Sequence, residues 1–203
     1  MDLTEIKCIQ TGVFRVNTYI VPCGENKVFV VDPAACAFSG DENKITLYLE
    51  KNHLECAAVL LTHCHFDHIT GILPIKRMFP DVKIAISKID APELGLGKVN
   101  SYACRYMDLQ LLEPVLEAQP KANLLLQEGD DFYGWKVLET PGHTAGSICL
   151  YQKESNRLIS GDTIFHVGYG RTDLPTGNED EMMKTLQRLG KEMPRDIKLY
   201  PGH

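Results

Sequence analysis

A dense group of potential metal ligands constrains this sequence more than any other feature. It directly follows residues 57–61, a short, wholly apolar run that predicts a strand buried on both faces. Of the next seven residues, 62–68, four can bind a divalent metal: His63, His65, Asp67 and His68. So many ionisable groups side by side would repel one another or be poorly solvated without a cation. The segment therefore predicts a metal site in a loop at the carboxyl end of a strand, where open α/β structures bind ligands.

Three further candidate ligands lie far along the chain, and each directly follows a glycine. His143 lies between two predicted strands, Asp162 follows the predicted strand 157–160, and His203 follows the predicted strand 197–200. Glycine allows the backbone to turn tightly towards a crowded centre. We expect these three side chains to converge on the loop at 62–68 and to complete its metal site.

Strand and helix patterns along the chain predict an α+β fold. The β-branched and aromatic runs 17–21 and 27–31 flank a turn and predict a hairpin. Periodicity predicts helices at 45–54, at 67–79 with Asp67 as the N-cap, and at 179–189 between the cap Asn178 and the terminator Gly190. Further strands are expected at 82–86, 132–133, 135–140, 147–152, 157–160 and 197–200, with 91–118 covering a sheet. Both halves mix sheet and helix, which predicts helices on the outer faces of two packed sheets.

Composition predicts one ordinary globular domain spanning residues 1–203. The chain is 44% hydrophobic and 24% charged, and no linker-like composition divides it. The net charge of −6 and the lack of a basic run argue against a nucleic-acid partner. The N-terminus lacks a signal-peptide core, and no apolar stretch reaches membrane-spanning length. We expect a cytoplasmic protein without a membrane partner; the oligomeric state is not predicted.

The seven cysteines predict neither a disulfide framework nor a cysteine-based zinc site. Their number is odd and no Cys-x-x-Cys pair occurs. Cys64 lies between two candidate ligands, and we interpret it as a packing residue. His53 and His166 are interpreted as bystanders.

The combined motifs resemble those of the metallo-β-lactamase superfamily. The resemblance covers residues 32–203 and rests on H-x-H-x-D-H at 63–68, G-H-T at 142–144, G-D at 161–162 and P-G-H at 201–203. It implies a four-layer αββα sandwich and two divalent metal ions, with zinc expected and iron or manganese able to use the same ligands. It implies that Asp162 bridges both metals and that Asp32 orients the ligand loop through hydrogen bonds. The implied ligands are His63, His65 and His143 for the first metal and Asp67, His68 and His203 for the second.

Within this superfamily the sequence resembles the glyoxalase II branch, the hydroxyacylglutathione hydrolases and their compact bacterial relatives. The segments 161–165 and 168–175 carry this resemblance, which extends to persulfide dioxygenases. Asp162 stands where the main subclass of β-lactamases has Cys, so antibiotic hydrolysis is not expected. His65 stands where flavodiiron proteins have Glu, which weakens an oxygen-reducing di-iron interpretation. Because the chain ends on a candidate ligand, we expect the helical extension of glyoxalase II to be absent and glutathione specificity to be weakened.

The activity implied by this resemblance is hydrolysis of a small acyl thioester. A hydroxide held between two cations would attack the thioester carbonyl, while one metal would stabilise the developing oxyanion. Asp67 or Asp162 could accept the proton of the nucleophile. Arg171 could pair with a substrate carboxylate, or with Asp173 instead.

Tyr102 and Tyr106 in the covering segment are further candidates for substrate contact, with ordinary packing as the alternative. The alternative activity is that of a mononuclear iron persulfide dioxygenase, whose metal would be held only by His63, His143 and Asp162. A metal-stabilised binding module without turnover is a third interpretation, which the intact ligand set disfavours.

Overall fold

A computed structural model describes residues 5–203. Within them the apolar and β-branched runs of the first part of the chain form a six-stranded sheet in the order β1-β2-β3-β4-β5-β6. Strands β1 to β3 pair antiparallel, and β3 to β6 pair parallel. The carboxyl ends of β3, β4 and β5 therefore meet at one edge. The strands are β1 (Lys7–Thr11), β2 (Val16–Pro22), β3 (Lys27–Val31), β4 (Glu55–Leu60), β5 (Lys83–Ser87) and β6 (Leu124–Leu126).

The later part of the described chain forms a second sheet of five strands in the order β11-β10-β9-β8-β7. Strands β7 to β10 pair antiparallel in sequence order, and β11 adds parallel to β10. The carboxyl ends of β8, β10 and β11 consequently point the same way. The strands are β7 (Asp131–Phe132), β8 (Trp135–Glu139), β9 (Ile148–Gln152), β10 (Arg157–Gly161) and β11 (Lys198–Pro201).

Helices cover the outer faces of both sheets. The apolar side chains between the sheets form one buried cluster that includes Phe29 and Trp135, and separate clusters lie beneath the helices on either side. The predicted four-layer αββα sandwich is therefore confirmed. Its helices are α1 (Lys44–Lys51), α2 (Phe66–Ile69), α3 (Ile72–Met78), α4 (Lys98–Tyr106) and α5 (Glu113–Glu117) beside the first sheet, and α6 (Glu179–Glu192) beside the second.

The prediction of one helix at 67–79 was wrong, because the chain breaks it into α2 and α3 at Gly71. The N–H of Gly71 donates to the carbonyl of Pro33 at 2.8 Å, and a Cβ at Gly71 would lie 2.9 Å from that same oxygen. This close approach ends α2 early. His65, rather than the predicted Asp67, is the N-cap of α2.

Gly190 does not end the last helix as predicted, since α6 continues to Glu192. A glycine inside a helix costs only about 1 kcal/mol relative to alanine, which the packing of Met182 and Leu189 can offset. The helix ends where Pro194 pushes Met193 into an extended conformation, with φ −88° and ψ 140°. Asn178 caps α6 as predicted, accepting a hydrogen bond from the N–H of Glu181.

Strands β1 and β6 were not predicted. Strand β1 is mostly exposed and polar, and β6 has only three residues, so neither has a strong periodic signal. Among residues 5–203, no helix combines the length and the apolar character needed to cross a bilayer.

Candidate metal centre

All the candidate ligands lie at the edge where the two sheets meet. The carboxyl ends of β3 and β4 lead into Asp32 and the loop at 62–68, while His143, Asp162 and His203 follow β8, β10 and β11. Two backbone hydrogen bonds join the sheets at this edge. The N–H of Asn17 donates to Gly202 at 2.8 Å, and the N–H of Ile148 donates to Thr62 at 2.9 Å. Side chains as far apart in sequence as Asp32 and His203 are thereby brought to one point.

His63, His65 and His143 form the first group, with ligand-capable atoms all within 4.8 Å of one another. His65 Nδ1 lies 2.8 Å from His143 Nε2. The carbonyl of Arg171 lies 2.7 Å from His143 Nδ1 and can accept a hydrogen bond from an N–H there, which leaves the lone pair of Nε2 able to bind a metal. Burial, followed by the neighbouring imidazoles, holds the pKa of His63 well below its usual value and that of His65 at about 3. Both rings are therefore neutral at neutral pH, the form that binds metals.

Asp67, His68 and His203 form the second group, also within 4.8 Å of one another. Asp67 Oδ2 lies 3.7 Å from His68 Nε2 and 3.6 Å from His203 Nε2. Burial raises the pKa of Asp67, but the two imidazoles outweigh it and hold this pKa below its usual value. Burial lowers the pKa of His68, but Asp162, Asp67 and Asp32 together raise it well above the usual value. The three carboxylates thus favour a positive charge beside them, which a proton on His68 supplies when no metal is bound.

Asp162 lies between the two groups. Its Oδ1 is 3.4 Å from His68 Nε2, while its Oδ2 is 3.7 Å from His143 Nε2 and 3.6 Å from His203 Nε2. Two ligands bound to one zinc ion at tetrahedral angles are about 3.4 Å apart, so these separations suit shared coordination better than direct hydrogen bonding. The bridging position implied for Asp162 agrees with this geometry.

The described residues pass two tests of fit to metal ions. Buried polar atoms are normally hydrogen bonded, yet His63 Nε2, His68 Nε2 and Asp162 Oδ1 are buried here without a hydrogen-bond partner. Gly202 also packs tightly against the centre, since a Cβ there would collide with Asp162 Oδ1 and lie 2.9 Å from His68 Cε1. A donor set of imidazoles and carboxylates suits zinc and also accepts iron or manganese.

Asp32 holds the ligand loop in place. Its Oδ1 accepts a hydrogen bond of 2.8 Å from the N–H of Thr62, and its Oδ2 accepts one of 2.6 Å from the Thr62 hydroxyl and lies 3.0 Å from His68 Nδ1. Asp32 also falls within 4.8 Å of ligand atoms of His63 and His68. Because both of its oxygens already accept hydrogen bonds from the loop, we assign it to orienting His68 rather than to metal binding.

Asp90 and Asn100 also support the ligand loop, although neither was predicted to do so. Asp90 Oδ2 accepts hydrogen bonds from the Cys64 N–H at 3.0 Å and from the Thr144 hydroxyl at 2.8 Å. Asn100 Nδ2 donates to the Cys64 carbonyl at 2.8 Å. Asp90 lies just past β5, at the same edge as the other ligand loops, and this position was a usable signal. Cys64 itself packs in the core, as predicted.

A cleft of about 420 Å³ opens onto the candidate ligands. Arg171 lines it, but its guanidinium donates to both oxygens of Asp173, at 2.7 and 2.8 Å. The same guanidinium lies 5.6 Å from the ring centre of Tyr106, on which Tyr102 stacks at 6.0 Å. Neither tyrosine is among the residues that line the cleft, so their contact with substrate stays a prediction. Besides the candidate ligands and Gly170, the lining consists of Phe14, Phe66, Met107, Phe165, Arg171 and Leu174.

Sequence comparison places this geometry in a known family. Residues 11–203 match the model of the Metallo-beta-lactamase superfamily. The probable metallo-hydrolase MJ0888 of Methanocaldococcus jannaschii is 34% identical, over 94% of this chain and 88% of that protein. A hydroxyacylglutathione hydrolase of Bdellovibrio bacteriovorus is 33% identical over 87% of this chain, which spans only 58% of that enzyme's length.

Solved structures give the same result. TTHA1623, solved in a di-iron-bound form, is 29% identical with a TM-score of 0.80, covering 97% of this chain and 91% of that one. The B3 metallo-beta-lactamase BLEG-1 is 26% identical with a TM-score of 0.85, covering 98% and 91%. ETHE1 from Myxococcus xanthus, 22% identical with a TM-score of 0.69 over 98% and 75%, shares the fold. The chain therefore belongs to the metallo-β-lactamase superfamily of metal-dependent hydrolases.

Proposed function

We propose that this chain hydrolyses a small acyl thioester and uses two divalent metal ions, zinc being the expected metal. One observation carries the proposal: Asp162 lies between two groups of candidate ligands and lines a cleft large enough for a small substrate. The similarity to a hydroxyacylglutathione hydrolase supports a thioester as the substrate class. Two cations bound in these groups would lower the pKa of a water molecule and polarise the substrate carbonyl.

The carboxylates of Asp67 and Asp162 are the groups of this chain best placed to handle protons. Both line the cleft. Burial raises the pKa of each carboxyl group, but the nearby imidazoles lower it by more, so the net pKa lies below the usual value. Both groups therefore stay ionised at neutral pH. An ionised carboxylate beside the attacking water can orient it and accept its proton. When the carbon–sulfur bond breaks, the thiolate leaving group takes a proton from the same carboxylate or from solvent and becomes a thiol.

Metal analysis combined with substrate assays tests this proposal. The purified protein should contain two metal ions per chain and should release thiol from S-lactoylglutathione or another acyl thioester. Failure to cleave any thioester with both metals bound would overturn it. Hydrolysis of a β-lactam alone would favour an activity like that named for BLEG-1.

The second candidate, a mononuclear iron persulfide dioxygenase, has the weaker support of a shared fold. Replacing His68 with Ala separates the two activities, because His68 belongs only to the second metal group. We expect His68→Ala to abolish thioester hydrolysis. A protein with one iron per chain and persulfide-dependent oxygen uptake that survives this substitution would favour the dioxygenase.

A further inference from the structure

The walls of the cleft above the metal centre are apolar. Phe14 and Phe66 pack edge to face on one side, with ring centres 5.9 Å apart. Phe165 lies beside the centre, its ring 6.3 Å from that of His203. Met107 and Leu174 complete the apolar lining. Phe66 is buried, but Phe14 remains 42% exposed, so its ring has apolar surface available for a ligand.

Arg171 is the only lysine or arginine among the described residues that line this cleft. Its guanidinium already forms a two-pronged ion pair with Asp173 and stacks on Tyr106. Asp173 therefore offsets the charge that Arg171 could offer to a substrate carboxylate, and it would repel that carboxylate at close range. Apart from the metal ions proposed above, the cleft therefore offers little to the charged groups of an anionic substrate.

We propose that the substrate is an uncharged thioester with an apolar acyl group that packs against Phe14 and Phe165. This inference rests on the thioesterase function proposed above. A glutathione thioester, by contrast, has two carboxylates and one ammonium group at neutral pH. In the reaction, water adds its hydroxyl to the carbonyl carbon and the carbon–sulfur bond breaks. The products are a carboxylic acid and a thiol whose sulfur receives the remaining proton.

Two matched pairs of thioesters test this inference. S-benzoyl-N-acetylcysteamine and S-benzoylglutathione share an acyl group and differ in the charge of the thiol. S-butyryl- and S-lactoyl-N-acetylcysteamine share a thiol and differ in the polarity of the acyl group. In the first pair we expect kcat/KM to be roughly tenfold higher for the neutral thioester, S-benzoyl-N-acetylcysteamine. In the second pair we expect kcat/KM to be roughly tenfold higher for the thioester with the apolar acyl group, S-butyryl-N-acetylcysteamine. Equal or better hydrolysis of S-benzoylglutathione would overturn the inference while leaving the thioesterase proposal intact.

Binding of thioethers that cannot be hydrolysed keeps the inference testable even if no thioester is cleaved. By calorimetry, S-benzyl-N-acetylcysteamine should bind the metal-loaded protein more tightly than S-benzylglutathione. The reverse order would overturn the proposed substrate class whatever the catalytic result. Absence of turnover together with the expected binding order would overturn only the thioesterase function.

Two substitutions test the residues involved. Phe14→Ser should raise KM for the butyryl substrate several-fold with little change in kcat. Phe38→Ser is its control, because Phe38 is 50% exposed and does not line the cleft. Asp173→Asn should free Arg171 and raise kcat/KM for S-benzoylglutathione, whereas Asp81→Asn, at the opposite edge of the sheet, should not. An unchanged KM in Phe14→Ser would contradict the role given to the apolar wall. An unchanged kcat/KM for S-benzoylglutathione in Asp173→Asn would contradict the role given to the ion pair.

Discussion

The carboxylate of Asp90 accepts a hydrogen bond of 2.8 Å from the hydroxyl of Thr144, and it thereby joins the two loops of the first metal group. The same carboxylate accepts hydrogen bonds from the N–H of Cys64 at 3.0 Å and of Gly146 at 2.9 Å. Cys64 lies between His63 and His65, and Thr144 follows His143. One buried side chain thus positions ligands that come from different sheets.

Replacing Asp90 with Ala should loosen the first metal group. The substitution leaves the buried N–H groups of Cys64 and Gly146 without partners, which costs about 1–3 kcal/mol for each. We expect a lower melting temperature and weaker retention of one of two metals during dialysis against a chelator. Asp81→Ala, an exposed site, serves as the control. Wild-type metal retention in Asp90→Ala would contradict the positioning role.

Asp32→Asn should weaken the second metal group selectively. The amide can keep one hydrogen bond from Thr62, but it no longer supplies the negative charge opposite His68 Nδ1. Loss of such a partner typically lowers metal affinity by about 10–100-fold. Competition with a chromogenic chelator would measure the two affinities separately. An equal loss at both sites, or none, would argue against this assignment.

Gly202→Ala should impair the metal centre, because the added Cβ would collide with Asp162 Oδ1. We expect kcat/KM for the best thioester to fall by about 100-fold or more, as displacement of a catalytic group by 1 Å can cause. Gly190→Ala is the matched control, since nothing lies within 4 Å of its Cβ position in α6. That control should keep full activity and gain about 0.5–1 kcal/mol of stability. Comparable activity of the two variants would exclude close packing at Gly202 as a requirement.

Zinc binding at the two groups should release different numbers of protons. The pKa values of His63 and His65 are lowered, so both are already neutral at pH 7 and release no proton. The pKa of His68 is raised well above its usual value, so the metal-free ring is protonated at pH 7 and must lose that proton. Because the pKa values of His68 and His203 are both raised, affinity at the second group should fall by at least about tenfold per pH unit below them.

Calorimetric zinc titrations in buffers of different ionisation enthalpy would count these protons. One proton or more should accompany the binding event that His68→Ala removes. The same proton count for both binding events would contradict the pKa directions given for the two groups.

Sequence chemistry alone identified the side chains that the structure brings together. Histidines and aspartates at 63–68, 143, 162 and 203 follow strand ends, and parallel strands place such ends at one edge. The alternation of strands and helices likewise predicted the sandwich, because each element must bury one apolar face. These features depend on local spacing, which a sequence displays directly.

Contacts between distant segments were decided only by the tertiary structure. Asp90 and Thr144 are 54 residues apart, and although both follow strand ends, no local pattern indicates that their side chains form a hydrogen bond. The break at Gly71 depends on the carbonyl of Pro33, and the apolar cleft depends on Phe14 and Phe165 arriving from different sheets. Residue types and their spacing indicate which side chains can bind metal and which faces are buried. Packing determined which carboxylates support the ligands and what surrounds a substrate, because those contacts exist only once the sheets have come together.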